Sequence, residues 1–584
     1  MRLVFDIETD GLLDTLTQIH CIVLKDIDTN EVFSFPPADI EQGLDMLYKA
    51  DTIIGHNIIN FDIPAIQKVH PEFETEAEVL DTLVLSRVIK ADQGNMDFSS
   101  MALPRKLNGS HGLKAWGIRL GILKGDYGET TDWSRWSEEM QSYCVQDVEV
   151  THSLWKHLAP EKWSQESITF EHQIAEVCNR IGAEGWTFNE RKAGDLYSKL
   201  AQKRANLEVE LQTLFEPWEI HTEFIPKVNN KKLGYTKGEP FTKVKVIDFN
   251  PNSRRHIQFC LEKKYKWKPK KFTPSGEAQI DESILAALSY PEAKKLAYMF
   301  LLQKRIGQLA EGSQAWLKLV DKDGCIRHNI ISAGTVTLRA AHRYPNLAQV
   351  PSVGSEFGKE CRELFTVPAD YSLIGSDLSG LELRCLAHFL AYTDNGDYAQ
   401  EILNGDIHTT NQKAAGLDTR DQAKKFIYTL LYGGGDLKVG QVLGKGAKEG
   451  KATKEKFFKA MPSFTQLKRQ VQEAAERGYL IGLTGEQVKI RSAHAALNTL
   501  LQNTGSTISK KWVILIDQEL KKQGLDAKII AWVHDEVQIK CKKGIEDDVG
   551  DITGRMAKEA GDYFKFKIPI ASEYTIGGNW AETH

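Results

Sequence analysis

Hydrophobic positions in the first 160 residues alternate between short runs and one long periodic stretch. The runs RLVFDIE, CIVLKDI and TIIGHN are typical of β-strands, whereas EEMQSYCVQDVEVTHSLWKHL has the periodicity of a helix. This mixture predicts an α/β domain, with one sheet flanked by helices, over residues 1–160. The domain ends where Pro160 interrupts the pattern in LAPEKWSQES and a new helix begins.

The next segment is predicted to form a long amphipathic helix. Leu196, Leu200, Leu207, Leu211 and Leu214 recur at helical spacings in a Lys/Glu-rich context. The residues that follow, including PKVNNKKLGYTKGEP, are rich in Gly, Pro and Asn. We therefore expect a loop or a small insertion there rather than a packed element.

Two acidic segments in the second half of the chain lie at predicted strand ends. YSLIGSDLSGLELRCLAHFL predicts a strand ending near Asp377, then a helix with Ser379 as N-cap, and Ser379 and Glu382 fit a capping box. IIAWVHDEVQIKC places Asp535 and Glu536 in a tight turn between two β-like runs. The turn alone is ordinary, but Asp377 and Asp535 could converge in a two-metal site.

Composition excludes several classes of protein. The chain has 584 residues, of which 41% are hydrophobic and 26% charged, as expected for a globular protein of several domains. No apolar run approaches the roughly 20 residues that a bilayer-spanning helix needs. The eight cysteines are scattered without a C-x-x-C pair, so we expect them to be reduced and mostly buried.

Charge is unevenly distributed along the chain, although the net charge is only −5. Between Phe224 and Phe272 there are 14 Lys and Arg residues against 3 Asp and Glu residues. Such a run is either an ordinary solvated surface or a surface that contacts phosphate groups, and the residue types alone leave both interpretations open.

Four acids and a tyrosine predict a metal centre in the first domain. Asp6 and Glu8 are two residues apart on an apolar strand, so they leave the same face of the sheet. Asp62 follows another apolar run, and Tyr143 and Asp147 lie at i and i+4 on one helix face. Carboxylates brought together repel one another unless divalent cations bind between them, and oxygen ligands favour Mg²⁺ or Mn²⁺.

This pattern resembles the 3′→5′ exonuclease superfamily, whose sites combine four acids with a tyrosine. The resemblance implies that Asp6, Glu8, Asp62 and Asp147 bind two metal ions, while Tyr143 orients the attacking water. Two ions about 3.5 to 4 Å apart can activate a water and stabilise the leaving oxygen of a phosphodiester.

A basic and aromatic stripe runs along the helix predicted for TRDQAKKFIYTLLYGGG. Arg420, Lys424, Tyr428 and Tyr432 recur every four residues, which keeps them near one helix face. Because neighbouring Arg and Lys repel each other, we expect the stripe to bind an anion such as a triphosphate, with the rings stacking on a sugar or base. The alternative is an amphipathic helix with a chance basic edge.

Together these blocks resemble motifs A, B and C of family A DNA polymerases. The similar segments are SDLSGLELRCLAHF, NGDIHTTNQKAA, RDQAKKFIYTLLYGGGD, HAALNTLLQ and AWVHDE, with FNPNSRRHIQ, QKRIGQ and the terminal GNWAETH. They cover nearly the whole chain and are most similar to the replicative polymerases of T-seven-type short-tailed bacteriophages. The resemblance implies template-directed DNA synthesis with 3′→5′ proofreading in phage DNA replication.

The resemblance assigns metal and catalytic roles in the polymerase site. Asp377, Asp535 and the backbone carbonyl of Leu378 would bind two Mg²⁺ ions, which Mn²⁺ could replace, and Glu536 would lie beside them. Lys424 would donate a proton to the departing pyrophosphate. The metals would activate the primer 3′-hydroxyl and neutralise charge on the leaving group.

The resemblance also assigns the binding of the incoming deoxynucleoside triphosphate. Glu382 would crowd the ribose 2′ position, and Tyr428 stands where bacterial repair relatives carry Phe, which predicts weak discrimination against dideoxynucleotides. The full set of nucleotide-binding residues is Arg420, Lys424, His408, Tyr428, Glu382 and Tyr432.

Contacts to primer, template and minor groove follow from the same resemblance. The minor groove offers acceptors on every correct base pair, so such contacts test pairing without reading sequence. The residues concerned are Arg339, Asn346, Gln349, His494, Asn498 and Gln502.

The implied fold is a ribonuclease H-like α/β exonuclease domain followed by an α+β right-hand polymerase domain with thumb, palm and fingers. Its predicted boundaries are the exonuclease at 1–160, the thumb and linking helices at 161–325 with a basic insertion near 217–248, the palm at 326–390 and 481–584, and the fingers at 391–480.

The predicted partners follow from this arrangement. The basic segment falls in the thumb, where Lys and Arg would face the phosphates of primer-template DNA. A helicase-primase and a single-strand binding protein are further partners by resemblance alone, in the cytoplasm of the infected bacterial host. T-seven-type enzymes bind thioredoxin through a long thumb insertion, whereas residues 217–248 are a short one, so thioredoxin dependence is not expected. No membrane contact is expected either.

Other functions fit parts of this pattern. A single-subunit RNA polymerase shares the two aspartates and a Lys/Tyr helix, but it lacks the exonuclease set and has no use for Glu382. A stand-alone exonuclease would not need Asp377 and Asp535. A catalytically silent DNA-binding scaffold would be expected to have lost at least one metal ligand, yet every carboxylate is present in both sets. A 3′→5′ exonuclease with a DNA-binding but catalytically silent polymerase domain is the remaining alternative.

Overall fold

The computed structural model describes residues 1–101, 103–122, 131–273 and 275–584. They form two compact units, and none of the described helices is both long and apolar enough to cross a membrane. The second unit begins at Phe188, whereas the predicted thumb segment begins at residue 161. The two units do not test the predicted domain boundaries, which stay predictions. The first unit comprises Met1–Thr187, Arg327–Val350 and Phe365–His584, and the second comprises Phe188–Ile326 and Pro351–Leu364.

A mixed five-stranded sheet, the N-terminal sheet, begins the first unit. Its central strand Arg2–Thr9 is antiparallel to Ile19–Asp26 and parallel to Thr52–Gly55. Both faces of the central strand are covered, which explains the apolar residues Leu3–Phe5 and Ile7 in its interior. In spatial order the strands are Val32–Phe35, Ile19–Asp26, Arg2–Thr9, Thr52–Gly55 and Glu78–Asp81.

Helices flank this sheet, as predicted. Glu138–Leu158 begins at Ser137, whose hydroxyl accepts a hydrogen bond from the backbone N–H of Met140, and its apolar face contains Cys144 and Val148. The other helices are Ile40–Tyr48, Asp62–Val69, Thr82–Ile89, Gln93–Ser100, Leu113–Arg119 and Gln165–Glu184, with 3₁₀ turns at Pro37–Asp39, Arg105–Leu107 and Pro160–Lys162.

A four-stranded antiparallel sheet, the C-terminal sheet, forms the second core of the same unit. Tyr371–Leu378 lies between Glu536–Lys542 and Ser572–Gly577, and Ala527–Val533 is an edge strand. Short strands lie at Asn329–Ile331, Ala341–Arg343, Phe365–Thr366, Tyr479–Ile481 and Gln487–Lys489.

Large side chains fill the core behind the C-terminal sheet. The Trp512 indole donates a hydrogen bond of 2.8 Å to the Thr553 carbonyl, and the Trp532 indole donates one of 2.9 Å to the Ser509 hydroxyl. These buried donors are therefore satisfied. Helices of this part are Leu381–Asp394, Asp397–Asn404, Ile407–Ala415, Arg420–Leu431, Asp436–Val442, Ala447–Ala460, Pro462–Ala475, Ala496–Lys522 and Glu546–Tyr563, with 3₁₀ turns at Leu347–Gln349 and Ala493–Ala495.

The helix after Asp377 begins differently from the prediction. It spans Leu381–Asp394, and its N-cap is Gly380 with φ 59° rather than Ser379. No side chain caps it, so the predicted capping box is wrong. Glycine adopts this left-handed conformation without steric cost, and Glu382 is left to bond elsewhere.

The second unit contains the helix predicted from the leucine spacing. It spans Glu190–Gln212 and buries Leu196, Leu200 and Leu211, while Leu214 lies beyond its end. Further helices are Glu282–Ala286, Pro291–Ile306, Trp316–Leu319 and Gly358–Arg362, with a π turn at Gly307–Glu311. The strand Trp186–Phe188 leads into this unit, and the strand Cys325–Ile326 ends its first segment.

The basic segment is more ordered than predicted. Strands Trp218–Phe224 and Phe241–Ile247 pair as an antiparallel hairpin, and Arg254–Tyr265 is a helix. Residues 225–240 connect the two mostly exposed strands as a loop, which agrees with the predicted small insertion, whereas the packed helix Arg254–Tyr265 differs from the prediction. In FTKVKVI, polar and apolar residues alternate as in a strand, although the lysines make the segment look like a solvated surface. The Gly and Asn residues before it lie in the connection between the two strands.

The cysteines match the prediction, since all eight are free and all except Cys325 are buried. Small thiols packed in apolar surroundings contribute as hydrophobic side chains.

A buried ion pair joins two long helices of the first unit. Lys510 on Ala496–Lys522 lies 2.5 Å from Glu171 on Gln165–Glu184, and the side chains are only 1% and 5% exposed. Burial raises the pKa of Glu171, and the charge of Lys510 opposes this shift. Such a pair is tolerated only while both partners are present.

Replacing Lys510 with Met should destabilise the protein, because Glu171 is left buried without its counter-ion. We expect the free energy of unfolding of this unit to fall by about 3 to 5 kcal/mol, measured from the urea midpoint. Adding Glu171→Leu should recover most of the loss. Lys521→Met, on the exposed end of the same helix, is the matched control and should change stability by less than about 0.5 kcal/mol; equal losses in the single and double variants would contradict the prediction.

Candidate active sites

Two aspartates meet at one end of the C-terminal sheet. Asp377 is the penultimate residue of Tyr371–Leu378, and Asp535 lies in the turn before Glu536–Lys542. The backbone N–H of Leu378 donates a hydrogen bond of 3.0 Å to the carbonyl of Asp535. Strand pairing therefore holds these residues side by side although they are far apart in the sequence.

Electrostatic repulsion is strong at this end of the sheet. Partial burial and the charge of Asp535 raise the pKa of Asp377 to about 7, and burial and the charge of Glu382 raise the pKa of Asp535 to about 6. Arg339 opposes the shift at Asp535. Oxygen donors whose negative charges repel one another fit a divalent cation.

Three neighbouring side chains make polar contacts with the Glu536 carboxylate. Its Oε1 accepts hydrogen bonds from the Trp580 indole at 2.5 Å and from the Gln538 amide at 2.7 Å, and its Oε2 lies 2.8 Å from Nδ1 of His584. The resemblance predicts Glu536 beside the metal ligands, but no local sequence pattern reveals that Trp580 and His584 hold this side chain.

The basic stripe lies on the helix Arg420–Leu431, with Tyr432 as its C-cap. Arg420 donates a hydrogen bond of 2.7 Å to Asp406, an ion pair that sequence reasoning missed, although Asp406 is recognisable as the N-cap of the preceding helix. Both side chains are largely exposed, at 58% and 40%, so the pair is weak and Arg420 can exchange it for a phosphate. Lys424 is exposed and has no ion pair among the described residues.

Aromatic groups line the space between this helix and the aspartates. The Tyr432 hydroxyl donates a hydrogen bond of 2.6 Å to Glu382. Burial and the charge of Glu382 raise the pKa of Tyr428 to about 12. The His408 ring lies 6.5 Å from that of Tyr428, and burial and the charge of Arg420 lower its pKa. The tyrosines therefore remain hydrogen-bond donors at neutral pH.

The residues predicted to contact DNA have different surroundings. The charge of Arg339 opposes the rise in the pKa of Asp535, whereas the Asn498 amide donates a hydrogen bond of 2.7 Å to the Leu431 carbonyl and so holds the C-terminal end of the helix Arg420–Leu431. All six DNA contacts stay predictions. His494 lines a small cavity with Asn498, Asn346 is the N-cap and Gln349 the last residue of a 3₁₀ turn, and Gln502 lies on Ala496–Lys522.

The acids of the N-terminal sheet also converge. Asp6 and Glu8 share the central strand, and the N–H of Ile7 between them donates a hydrogen bond of 3.3 Å to Asp62. Burial and the charges of neighbouring acids, including Asp147, raise the pKa of Asp62 to about 7. Asp62 and Asp147 therefore interact electrostatically, and the hydrogen bond from Ile7 joins Asp62 to the strand that carries Asp6 and Glu8.

Cys144 is a neighbour that sequence reasoning missed. Its Sγ lies 3.6 Å from a carboxylate oxygen of Asp6, and together with Glu8 these groups offer ligand atoms within 4.8 Å of one another. Burial raises the pKa of the thiol well above its ordinary value, so Cys144 acts as a protonated neighbour rather than a thiolate ligand. Tyr143, one turn before Asp147, packs edge-on against Trp133 at 6.3 Å.

Comparison with known proteins identifies relatives over the full chain. A sequence model of DNA polymerase family A matches residues 227–582. The chain is 36% identical to the DNA-directed DNA polymerases of Escherichia phage T7 and of Enterobacteria phage T3, with 100% of both chains covered in each alignment. DNA polymerase I of Aquifex aeolicus is 26% identical over 57% of this chain and 58% of its own length.

A solved structure shows the same fold. The POL domain of Pol1 from M. smegmatis, in complex with DNA primer-template and dNTP, superposes with a TM-score of 0.74 at 18% identity. The match covers 99% of this chain and 96% of that chain. The predicted fold class, an α/β exonuclease-like domain with a right-hand polymerase domain, is confirmed.

Metal binding at the Asp377 and Asp535 site should strengthen with pH. The pKa values of about 7 and about 6 mean that both carboxyls are largely protonated at low pH, and a metal ion must displace those protons. We expect the Kd for Mn²⁺, measured by electron paramagnetic resonance in an Asp6→Ala background, to fall at least about tenfold between about pH 5.5 and about pH 8. Asp535→Asn should weaken binding and flatten this dependence; a constant Kd would contradict the prediction.

Proposed function

The chain belongs to DNA polymerase family A and is a DNA-directed DNA polymerase, and on that premise we propose how its two carboxylate sites divide the work. Family A DNA polymerases depend on divalent metal ions. Polymerisation takes place at Asp377 and Asp535, and 3′→5′ proofreading takes place at the carboxylates of the N-terminal sheet. Each site uses two Mg²⁺ ions, and the setting is phage DNA replication in the cytoplasm of the infected bacterium.

The observation that carries this proposal is the convergence of two repelling aspartates beside a cationic helix. Asp377 and Asp535 concentrate negative charge at one strand end. The helix that carries Arg420 and Lys424 lies near them, since both aspartates raise the pKa of Tyr428 on the same helix. A triphosphate with its metal ions needs both kinds of charge. Carboxylates bind the metal ions, and the Arg and Lys side chains bind the phosphate groups.

In the polymerase site, Asp377, Asp535 and the Leu378 carbonyl would hold the ions. The ions supply activation of the primer 3′-hydroxyl and neutralisation of charge on the triphosphate. The chain's own residues orient the substrate: Arg420 leaves Asp406 for a phosphate oxygen, and Lys424 donates a proton to the departing pyrophosphate.

Selection of the sugar rests on a rigid carboxylate. The Tyr432 hydroxyl donates a hydrogen bond to Glu382 and so restrains this side chain, to which we assign the crowding of the ribose 2′ position. Tyr428 remains protonated because its pKa is raised to about 12, so its hydroxyl can replace the missing 3′-hydroxyl of a dideoxynucleotide.

Proofreading is assigned to Asp6, Glu8, Asp62 and Asp147, with Tyr143 orienting the attacking water. Oxygen ligands at close spacing suit Mg²⁺ or Mn²⁺. The closeness of Asp6 to Glu8 and the electrostatic interaction of Asp62 with Asp147 support a shared metal centre.

The proposed function also includes a DNA substrate, replication partners and a division of the chain into domains. Primer-template DNA is the macromolecular substrate, and a helicase-primase and a single-strand binding protein are replication partners. The short hairpin insertion supports activity without thioredoxin. The proposed domains are exonuclease 1–160, thumb 161–325, palm 326–390 and 481–584, and fingers 391–480, with DNA contacts from Arg339, Asn346, Gln349, His494, Asn498 and Gln502.

Single alanine substitutions should separate the two activities. With a labelled primer-template and Mg²⁺, Asp377→Ala should lose extension by roughly a thousandfold or more while primer shortening persists. Asp6→Ala should show the reverse. Asp45→Ala, an exposed aspartate of the N-terminal domain, is the control. Primer shortening without extension by the wild-type protein would support the alternative of an exonuclease with a silent polymerase domain.

Tyr428→Phe should restore discrimination against dideoxynucleotides. Loss of one hydroxyl bonded to a charged group costs about 1.5 to 3 kcal/mol, so dideoxy incorporation relative to deoxy incorporation should fall roughly tenfold to a hundredfold. Single-nucleotide insertion kinetics measure this ratio. Tyr432→Phe is the matched control, because it frees Glu382 and should relax ribose exclusion instead. An unchanged dideoxy ratio in Tyr428→Phe would disprove the role of its hydroxyl.

A further inference from the structure

Two residues with strained backbone lie directly before residues assigned to DNA synthesis. Leu338 precedes Arg339 and has φ 58°, and His534 precedes Asp535 and has φ 60°. The side chain of an L-residue is crowded in this left-handed conformation, so the conformation persists only where the surrounding structure holds it. Contacts that hold these two turns therefore decide where Arg339 and Asp535 lie.

One helix donates a hydrogen bond to each strained residue. On Ala496–Lys522, the Ser506 hydroxyl donates a bond of 3.3 Å to the carbonyl of Leu338. Three residues later, the Ser509 hydroxyl donates a bond of 2.6 Å to the carbonyl of His534. Residues three apart lie on the same side of a helix, so one rigid surface holds both turns.

Neighbouring donors reinforce both attachments. The Trp532 indole is shared between the Ser509 hydroxyl, at 2.9 Å, and the His534 carbonyl, at 3.0 Å. At the other turn, the Asn503 amide donates a bond of 3.4 Å to the carbonyl of Thr337. These donors are buried, and a buried polar group that loses its partner is costly in free energy.

The two turns meet at a small cavity in the first unit. Its volume is about 20 Å³, and its lining includes Arg339, Asp535, Ser506 and Trp532. A space of this size holds little more than a water molecule, so no nucleotide separates the two turns there. The protein groups behind Arg339 and Asp535 therefore set their relative position.

We propose that Ser506 and Ser509 are positioning residues of DNA synthesis. Ser506 holds the turn that directs Arg339 to primer-template DNA, and Ser509 holds the turn that presents Asp535 to the metal ions. The inference rests on the proposed polymerase function. The serines act through backbone carbonyls, so the loss of each hydroxyl should impair the residue that follows its own turn.

Removing the Ser509 hydroxyl should raise the Mg²⁺ requirement of primer extension. In the full chain with Asp6→Ala, which keeps the primer intact, the Mg²⁺ concentration for half the maximal single-turnover rate should rise roughly threefold to tenfold in Ser509→Ala. The Kd for a fluorescein-labelled primer-template, measured by anisotropy in EDTA, should stay within about twofold.

Removing the Ser506 hydroxyl should have the opposite profile. In Ser506→Ala the Kd for primer-template should rise roughly threefold to tenfold, while the Mg²⁺ requirement stays within about twofold. Thr507→Val is the matched control for both variants. Thr507 is also buried on this helix, but its hydroxyl donates a bond of 3.1 Å to the Asn503 carbonyl within the helix, so its loss should change neither quantity.

A double-mutant cycle tests the role of the strained backbone. Glycine adopts the left-handed conformation without steric cost. In a His534→Gly background, the effect of Ser509→Ala on the Mg²⁺ requirement should therefore shrink to less than about twofold. An effect of the same size in both backgrounds would mean that Ser509 does not act by holding this turn, and would overturn the inference.

The outcomes separate the inference from the proposed polymerase site. If Asp535→Asn extends primers like wild type, the proposed site is wrong and the inference fails with it. If Asp535→Asn loses extension while both serine variants keep the wild-type Mg²⁺ requirement and Kd, only the inference is wrong. Equal losses in the serine variants and in Thr507→Val would also overturn it, since they would indicate a general loss of helix stability.

Discussion

Repulsion between neighbouring carboxylates is the constraint that the rest of this molecule has to meet. At both candidate sites an aspartate has a pKa of about 7, Asp62 in one and Asp377 in the other, because burial and adjacent acids disfavour its charged form. Side chains that repel one another separate unless the backbone holds them. In each site a backbone N–H does so: that of Ile7 bonds to Asp62, and that of Leu378 bonds to the carbonyl of Asp535.

The support extends to the end of the chain. Glu536 would add further repulsion, but three hydrogen-bonding groups near the C-terminus and on its own strand surround it. Gly375 permits this approach, since a Cβ there would lie 2.2 Å from the carbonyl oxygen of Thr583. The final residues are therefore part of the scaffold around Glu536 and Asp377, and a larger residue at position 375 would displace them.

Local patterns in the sequence predicted the features that depend on one element. Asp6 and Glu8 share a face because strands repeat every two residues, and Arg420 and Lys424 share one because they are about one helical turn apart. Contacts between distant segments had no such signal, which is why the pairing of Arg420 with Asp406 was missed. The N-cap at Gly380 was missed for another reason: Ser379 fits a capping box in sequence, and the backbone conformation overrides it.

Adjacent residues of one helix link the two sites. His172 on Gln165–Glu184 accepts a hydrogen bond of 2.8 Å from the N–H of Asp81, which lies beside Asp62, while Glu171 pairs with Lys510. Next to Lys510, the Ser509 hydroxyl donates a hydrogen bond of 2.6 Å to the carbonyl of His534, the residue before Asp535. Breaking a buried hydrogen bond is costly in free energy, because the remaining polar group is left without a partner. Displacing this helix would therefore break hydrogen bonds behind both carboxylate groups at once, so their separation is fixed by the core rather than by a flexible linker.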